Sequence, residues 1–275
     1  MFHYLRKTAK TVFPPSFRSN FRGAVQPVVK LWRRSPLAEY IAHRRAEVYL
    51  ISFARSGRTW LRTMIGTALC DYFDLDIAAP ERIADLWQQD ARIPAIRLDH
   101  SAIRLENPNK FKQKKIILLV RNPLDIGVSQ YHFQQRQGAI DADVFPIVES
   151  VVNSYNAWAI FMREHPACLL IKYEDLLATP ELVLTEIFEF INLPQVCEGE
   201  VLRRTVEICS FENMKKLAND PERSLFYRPN SSAMVRSGKV GSSKAELPPS
   251  TYKELQEFVT QTLSEDFNYT DSSNV

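Results

Sequence analysis

The chain has 275 residues and a formal net charge of +3, with 45% hydrophobic and 24% charged residues. That balance excludes a disordered chain, a collagen and a coiled-coil rod, and the length fits one large or two small domains. The most apolar windows, 48–54 and 116–120, fall far short of the roughly 18 apolar residues of a membrane span. The four cysteines, Cys70, Cys168, Cys197 and Cys209, show no CxxC spacing and sit beside apolar neighbours. They read as reduced, buried thiols of a cytoplasmic protein. Glycine is scarce, 8 in 275, about 3% against an average of roughly 7%, so each one is expected to have a structural reason.

The first segment, residues 1–46, holds ten Lys or Arg and one acid, Glu39. Its local charge is +9, and the remaining 229 residues carry −6. The small total therefore hides a basic arm (1–46) on an acidic body (47–275). The arm lacks the continuous apolar stretch of a secretory signal, and Pro14, Pro15, Pro27 and Pro36 break any long helix of a transit peptide. Three readings stay open: a solvated arm packed on the acidic body, an attachment to an anionic membrane surface, or a nucleic-acid contact. Aromatic residues among the bases, such as Phe13, Phe17 and Trp32, favour the membrane surface over nucleic acid.

Residues 47–54 read as a buried strand. A polar turn, Arg55-Ser56-Gly57-Arg58, follows. Residues 59–73 then have helical spacing, with Leu61, Ile65, Leu69 and Tyr72 on one face. Such a turn presents free N–H groups at the positive end of a helix. Gly57 lets the backbone approach an anion, Ser56 and Thr59 add hydroxyls, and Arg55 and Arg58 add charge. This composes a phosphate or sulfate cradle. It is not a Walker A loop, because the GxxxxGK[ST] pattern and its lysine are missing. The plainer reading is a helix capped by Ser56 with surface arginines.

Residues 95–98 form a further short strand in this reading, and 114–120 a second buried one. The latter runs out into Arg121-Asn122-Pro123, where the proline suits the first turn of a helix. Ser129 lies two helical turns beyond Arg121, on the same side. Arg121 offers a bidentate fork to a phosphate and Ser129 a hydroxyl. A helix over 144–163, a strand over 167–172, a helix over 180–191 and an amphipathic helix over 249–263, with Tyr252, Leu255, Val259 and Leu263 inward, complete the pattern. Alternation of this kind predicts an α/β fold with a parallel β-sheet flanked by helices on both faces. Ligands in such sheets sit beyond the carboxyl ends of the strands.

Two strings carry a family resemblance. Phe53–Leu61, FARSGRTWL, resembles the 5′-phosphosulfate loop of the sulfotransferases that use 3′-phosphoadenosine 5′-phosphosulfate (PAPS), and 116–133, IILLVRNPLDIGVSQYHF, is very similar to their 3′-phosphate motif. Residues 169–194, 209–216 and 235–244 resemble further segments of that family, so the likeness covers about 47–265 and leaves the arm outside. Two departures stand out. Arg55 and Arg58 replace the usual Lys and Thr or Asn, and Ser242 and Ser243 replace an Asp-Trp pair.

The resemblance implies the P-loop nucleotide-binding-like sulfotransferase fold and PAPS as co-substrate, with no metal. It implies donor contacts from Arg55, Ser56, Gly57, Arg58 and Thr59, and 3′-phosphate contacts from Arg121, Ser129, Arg236, Ser237 and Gly238. Trp60 and Phe211 would flank the adenine, with Tyr173 hydrogen-bonding near it. Arg55 would stabilise the leaving group as a fixed charge. His100, at the end of the short strand, would be the general base, with Asp99 as fallback; His132 packs its helix. The acceptor would be a small molecule, lipid or glycan bearing a hydroxyl or amine. Leu86, Trp87, Ile93, Ile96 and Phe145, in the segments 77–97 and 138–145, are expected to give its pocket an apolar lining. A P-loop-type phosphotransferase and a non-catalytic nucleotide-binding relative are the alternatives.

Overall fold

The computed structural model describes residues 35–77, 79–99, 111–139, 143–218 and 238–269. His100, Arg236, Ser237 and the arm through residue 34 lie outside them. The chain divides into two units, Met1–Ala46 and Glu47–Val275. In the first, helix α1 (Pro36–Arg45) starts where its sequence directs. The Ser35 hydroxyl accepts the Ala38 N–H at 3.2 Å, and Pro36 occupies the first turn. His43, Arg44 and Arg45 complement its negative end.

The second unit is built on four parallel strands among the described residues: β1 (Val48–Ser52), β2 (Ile96–Asp99), β3 (Lys115–Val120) and β4 (Cys168–Lys172), in the order β2-β1-β3-β4. Leu50 of β1 lies opposite Leu98 of β2 and Ile117 of β3. Helix α2 (Arg58–Tyr72) follows β1, and the one-turn α3 (Ile83–Leu86) precedes β2. After β3 come α4 (Pro123–Arg136) and α5 (Val144–Glu164); after β4 come α6 (Tyr173–Ala178) and α7 (Pro180–Phe190). Then follow α8 (Val201–Ile208), α9 (Phe211–Ala218), α10 (Ser242–Glu246) and α11 (Pro249–Thr262).

Both faces of the sheet are covered, as the apolar strands require. On one face Val48, Leu50, Ile117, Leu119 and Ile171 pack with Leu61, Ile65 and Leu69 of α2 and Leu184 and Ile187 of α7. On the other, Tyr49 meets Phe111 edge-on at 5.2 Å, and Phe111 meets Phe161 of α5 at 6.0 Å. Each fully buried aliphatic side chain contributes about 1.5–3 kcal/mol.

The elements read from the sequence appear within two residues of their expected ends. β1 stops at Ser52 because Phe53 and Ala54 already belong to the turn. Tyr72, expected inward, is 37% exposed; the next residue, Phe73, takes the buried place. Leu86, Ile93 and Ile96, expected in the acceptor lining, are buried. They are core residues of the sheet face that carries α2. All four cysteines are free; Cys209 is buried and the others are half-buried.

The strand order puts a topological switch point between β1 and β3: the chain leaves β1 toward β2 on one side, then returns to β3 on the other. A crevice opens at the carboxyl ends of such a pair.

Candidate active site

The turn after β1 is held in an uncommon backbone shape. Arg55 has φ +70° and Gly57 has φ +89°. For a residue with a Cβ this region costs roughly 1–2 kcal/mol, so Arg55 needs fixed contacts. Its Nε donates to Ser129 Oγ of α4 at 3.2 Å, and its guanidinium lies 5.0 Å from the Phe133 ring centre. This one side chain spans from the end of β1 to the helix after β3. Gly57 is required on two counts. Besides its φ, a Cβ there would stand 2.5 Å from the Tyr173 ring.

Gly57, not Ser56, is the N-cap of α2, with no side-chain hydrogen bond to the helix end and no acid in the first turn. Ser56 is instead fully buried, next to the hydroxyl of Tyr155 on α5. The plainer reading of this turn, a Ser56-capped helix, is therefore set aside. An uncapped N-terminus without acids keeps its partial positive charge available. Arg58 donates to the backbone carbonyl of Asp99 at 2.5 Å, tying α2 to the end of β2, the residue before His100. Burial, then the neighbouring Arg62, lowers the Arg58 pKa to about 10.

Arg121 closes the second strand-end, 8% exposed. The Tyr155 hydroxyl accepts its N–H at 2.9 Å and donates to its carbonyl at 3.0 Å. The guanidinium lies 4.5 Å from the Tyr173 ring centre. Its Nη2 donates to the Lys239 carbonyl at 2.9 Å and lies 3.5 Å from Asp125 Oδ2. Its Nε is buried and has no hydrogen-bond partner among the described residues. A buried N–H on a cation is costly unless something accepts it.

Tyr173 thus sits at the centre, against Gly57, under Arg121 and edge-on to Trp60 at 6.0 Å. Trp60 Nε1 donates to the Cys209 carbonyl at 2.8 Å, which holds the turn that leads to Phe211 at the start of α9. The Phe211 ring packs on Gly238, where a Cβ would stand 2.7 Å away. Gly57, Trp60, Arg121, Tyr173, Phe211 and Gly238 are therefore brought together around Tyr173 and the turn after α8, Arg55 reaches Ser129 from the same loop, Ser56 lies by Tyr155, and Arg58 ties that loop to the end of β2. Thr59 lies in the same first turn of α2, and its carbonyl accepts the Thr63 hydroxyl at 2.8 Å.

Residues 45–267 match the sulfotransferase domain family. The chain belongs to the sulfotransferase family. Sequence relatives include cytosolic sulfotransferase 14 of Arabidopsis thaliana, 23% identical with 79% of this chain and 75% of that protein aligned. Another is flavonol 3-sulfotransferase of Flaveria bidentis, 23% identical over 79% of this chain and 81% of that one. Among solved structures, a mouse sulfotransferase complexed with 3′-phosphoadenosine 5′-phosphate (PAP) aligns at TM-score 0.58, 18% identity, with 82% of this chain and 90% of that one covered. A retinol dehydratase in complex with androsterone and PAP aligns at 0.58, 16% identity, 79% and 80%. These likenesses bear out the expected sulfotransferase fold.

The structure of this sulfotransferase also engages residues that the motifs did not single out. Asp125, in the first turn of α4, is fully buried and holds the turn before α10. Glu174 accepts the Asn122 N–H at 2.9 Å and the Tyr269 hydroxyl at 2.7 Å, so the start of α6 supports the second strand-end. Tyr155 lies 34 residues from Arg121, and no local pattern announces it. His132 Nε2 lies 2.8 Å from Glu246 Oε2, which joins α4 to α10 rather than leaving the ring for chemistry.

Proposed function

We propose that this sulfotransferase moves a sulfuryl group from PAPS to a hydroxyl or amine of a small-molecule acceptor. The observation that carries the reading is the reach of Arg55 from the loop after β1 to Ser129 on the helix after β3, across the switch point. Two anion-binding strand-ends joined in this way suit a nucleotide with a phosphate at each end of its ribose. The residues present fit it. The α2 N-terminus is uncapped and acid-free, and the buried Arg121 Nε has no acceptor among the described residues.

In this reading the first turn of α2, with Arg55, Ser56, Gly57, Arg58 and Thr59, takes the 5′ end. Arg121 and Ser129, with Arg236, Ser237 and Gly238, take the 3′-phosphate. Trp60 and Phe211 border the base, and Tyr173 supports both strand-ends from below. PAPS supplies a sulfuryl group on a phosphate leaving group. Arg55 keeps a permanent positive charge where the leaving oxygen gains negative charge, without giving up a proton. His100, one residue beyond the Asp99 carbonyl that Arg58 holds, takes the acceptor proton. General-base help of this kind contributes about 100- to 10,000-fold. A lipid or glycan is the wider acceptor class, and the reduced thiols fit a cytoplasmic setting.

One assay in two parts tests the reading. PAP should raise the melting temperature by several degrees, and Mg-ATP should not. His100→Ala should then lose at least about 100-fold in kcat on an acceptor found with labelled PAPS, while keeping the PAP shift. A shift with Mg-ATP alone would move the protein to the phosphotransferases. An intact PAP shift with no turnover on any acceptor would make it a non-catalytic relative. For the arm, the +9 charge of residues 1–46 supports attachment to an anionic membrane surface. The full chain should sediment with phosphatidylserine vesicles, not with phosphatidylcholine vesicles, and high salt should release it. Equal recovery with both vesicles would end that proposal.

A further inference from the structure

Helix α4 carries an acid where an anion site should not want one. Asp125 lies one turn beyond Arg121, is 0% exposed, and its Oδ2 stands 3.5 Å from Arg121 Nη2. A buried carboxylate is expensive to desolvate, and it weakens the pull of the arginine on any anionic ligand. What it does in return is visible in its other contacts. Oδ2 accepts the Gly241 N–H at 2.9 Å and Oδ1 accepts the Ser243 N–H at 3.0 Å. Both donors lie more than a hundred residues away in the chain, at the entry to α10. Gly241, at φ +72°, is the N-cap of that helix, and its left-handed turn lets the two N–H groups converge on one carboxylate.

The same segment is held twice more. Its Lys239 carbonyl accepts from Arg121 Nη2 at 2.9 Å, and its Glu246 reaches His132 of α4 at 2.8 Å. Upstream, Gly238 lies on the Phe211 ring.

We propose that Asp125 is a positioning residue for the 3′-phosphate subsite. It fastens segment 238–246 to α4 and shares Nη2 of Arg121 with the Lys239 carbonyl, which leaves Nε, without a partner among the described residues, as a donor for the ligand. The inference rests on the PAPS reading above. Asp125 need not touch the nucleotide; it acts through Arg121 and through the segment that carries Gly238.

Asp125→Asn is the direct test. The amide is isosteric, but its NH2 faces one of the two N–H donors, so one backbone group loses its acceptor. The titration compares PAP with adenosine 5′-phosphate, which lacks the 3′-phosphate. The variant should bind PAP about tenfold more weakly and adenosine 5′-phosphate nearly as the wild type does. Amide exchange in 238–246 should also accelerate. Equal weakening of both nucleotides, or no weakening of either, would overturn the proposal. Should Asp125→Asn fail to fold, Asp125→Glu keeps the charge but displaces the oxygens, and the same loss confined to PAP is expected. Wild-type protein that binds no PAP would overturn the donor reading itself, and the subsite with it. Exchange alone then decides the fastening: faster exchange in the variant upholds it, and unchanged exchange refutes it.

Discussion

Tyr155 shows how much one hydroxyl does here. It is 0% exposed, accepts the Arg121 N–H and donates to the Arg121 carbonyl. Those two backbone groups sit just past the end of β3, where no neighbouring strand can pair them. Burial raises the Tyr155 phenol pKa, while the contacts with Arg121 and Ser56 oppose the rise, so the hydroxyl stays a donor at neutral pH. Tyr155→Phe leaves a buried donor and a buried acceptor unpaired. It should cost about 2 kcal/mol or more, seen as a lower urea midpoint, and it should weaken PAP binding several-fold because Arg121 is no longer fixed. Unchanged stability would mean that water replaces the hydroxyl. Arg55 makes the complementary point. Its positive φ is held by the Ser129 and Phe133 contacts, so the residue that reaches across the site also stores strain there.

At the level of elements, β1 and α2 on one side and β3 and α4 on the other were legible in the sequence. Their signals are strong: short buried runs, a helical face of Leu61, Ile65 and Leu69, and a proline just after β3. The site motifs sit at the ends of these elements, so reading the elements also placed the motifs. Helices α3, α8 and α10 were not legible. They span four, eight and five residues, too short to establish a period. Three of the five residues expected to line the acceptor pocket are core residues that were not legible as such for the same reason, while Trp87 and Phe145 keep partial exposure. Leu86, Ile93 and Ile96 looked like pocket residues because they fall in a mixed segment without a clear period. The close approach of α2 to the turn before α3 explains their burial: a Cβ on Gly66 would stand 1.8 Å from the Pro80 carbonyl oxygen. That contact draws the segment down onto the core. Helix α4 serves as the platform of the site, through Asn122, Asp125, Ser129 and His132.

Across the whole molecule, burial shifts titrations in one main direction. Burial pushes Cys70 up to about 11, Cys209 to about 11 and Cys168 to about 12, from an ordinary 9.0. It raises Tyr173 and Tyr269 as well. A folded pKa above the unfolded one means that the fold holds protons which the unfolded chain releases. Stability from these groups is complete below about pH 9 and is lost as pH rises toward 11–12. Arg58 and Arg62 work the other way, since burial lowers both and the lowered Arg58 pKa relieves the fold above about 10, but the buried thiols and phenols outnumber them. The urea midpoint should therefore fall between about pH 8.5 and 10.5; a flat profile would refute this. The sequence by itself determined the parallel α/β fold, the family and the two strand-ends that carry the arginines, because these rest on local apolar runs and contiguous motifs. Only the tertiary structure decided what supports them. Tyr155, Asp125 and Glu174 act on partners tens of residues away, and no local pattern encodes which distant backbone group a buried side chain will satisfy. The scarce glycines follow the same division. Gly57 was expected in its loop from the motif alone, but that Tyr173 is what presses against it, and Phe211 against Gly238, was fixed by packing.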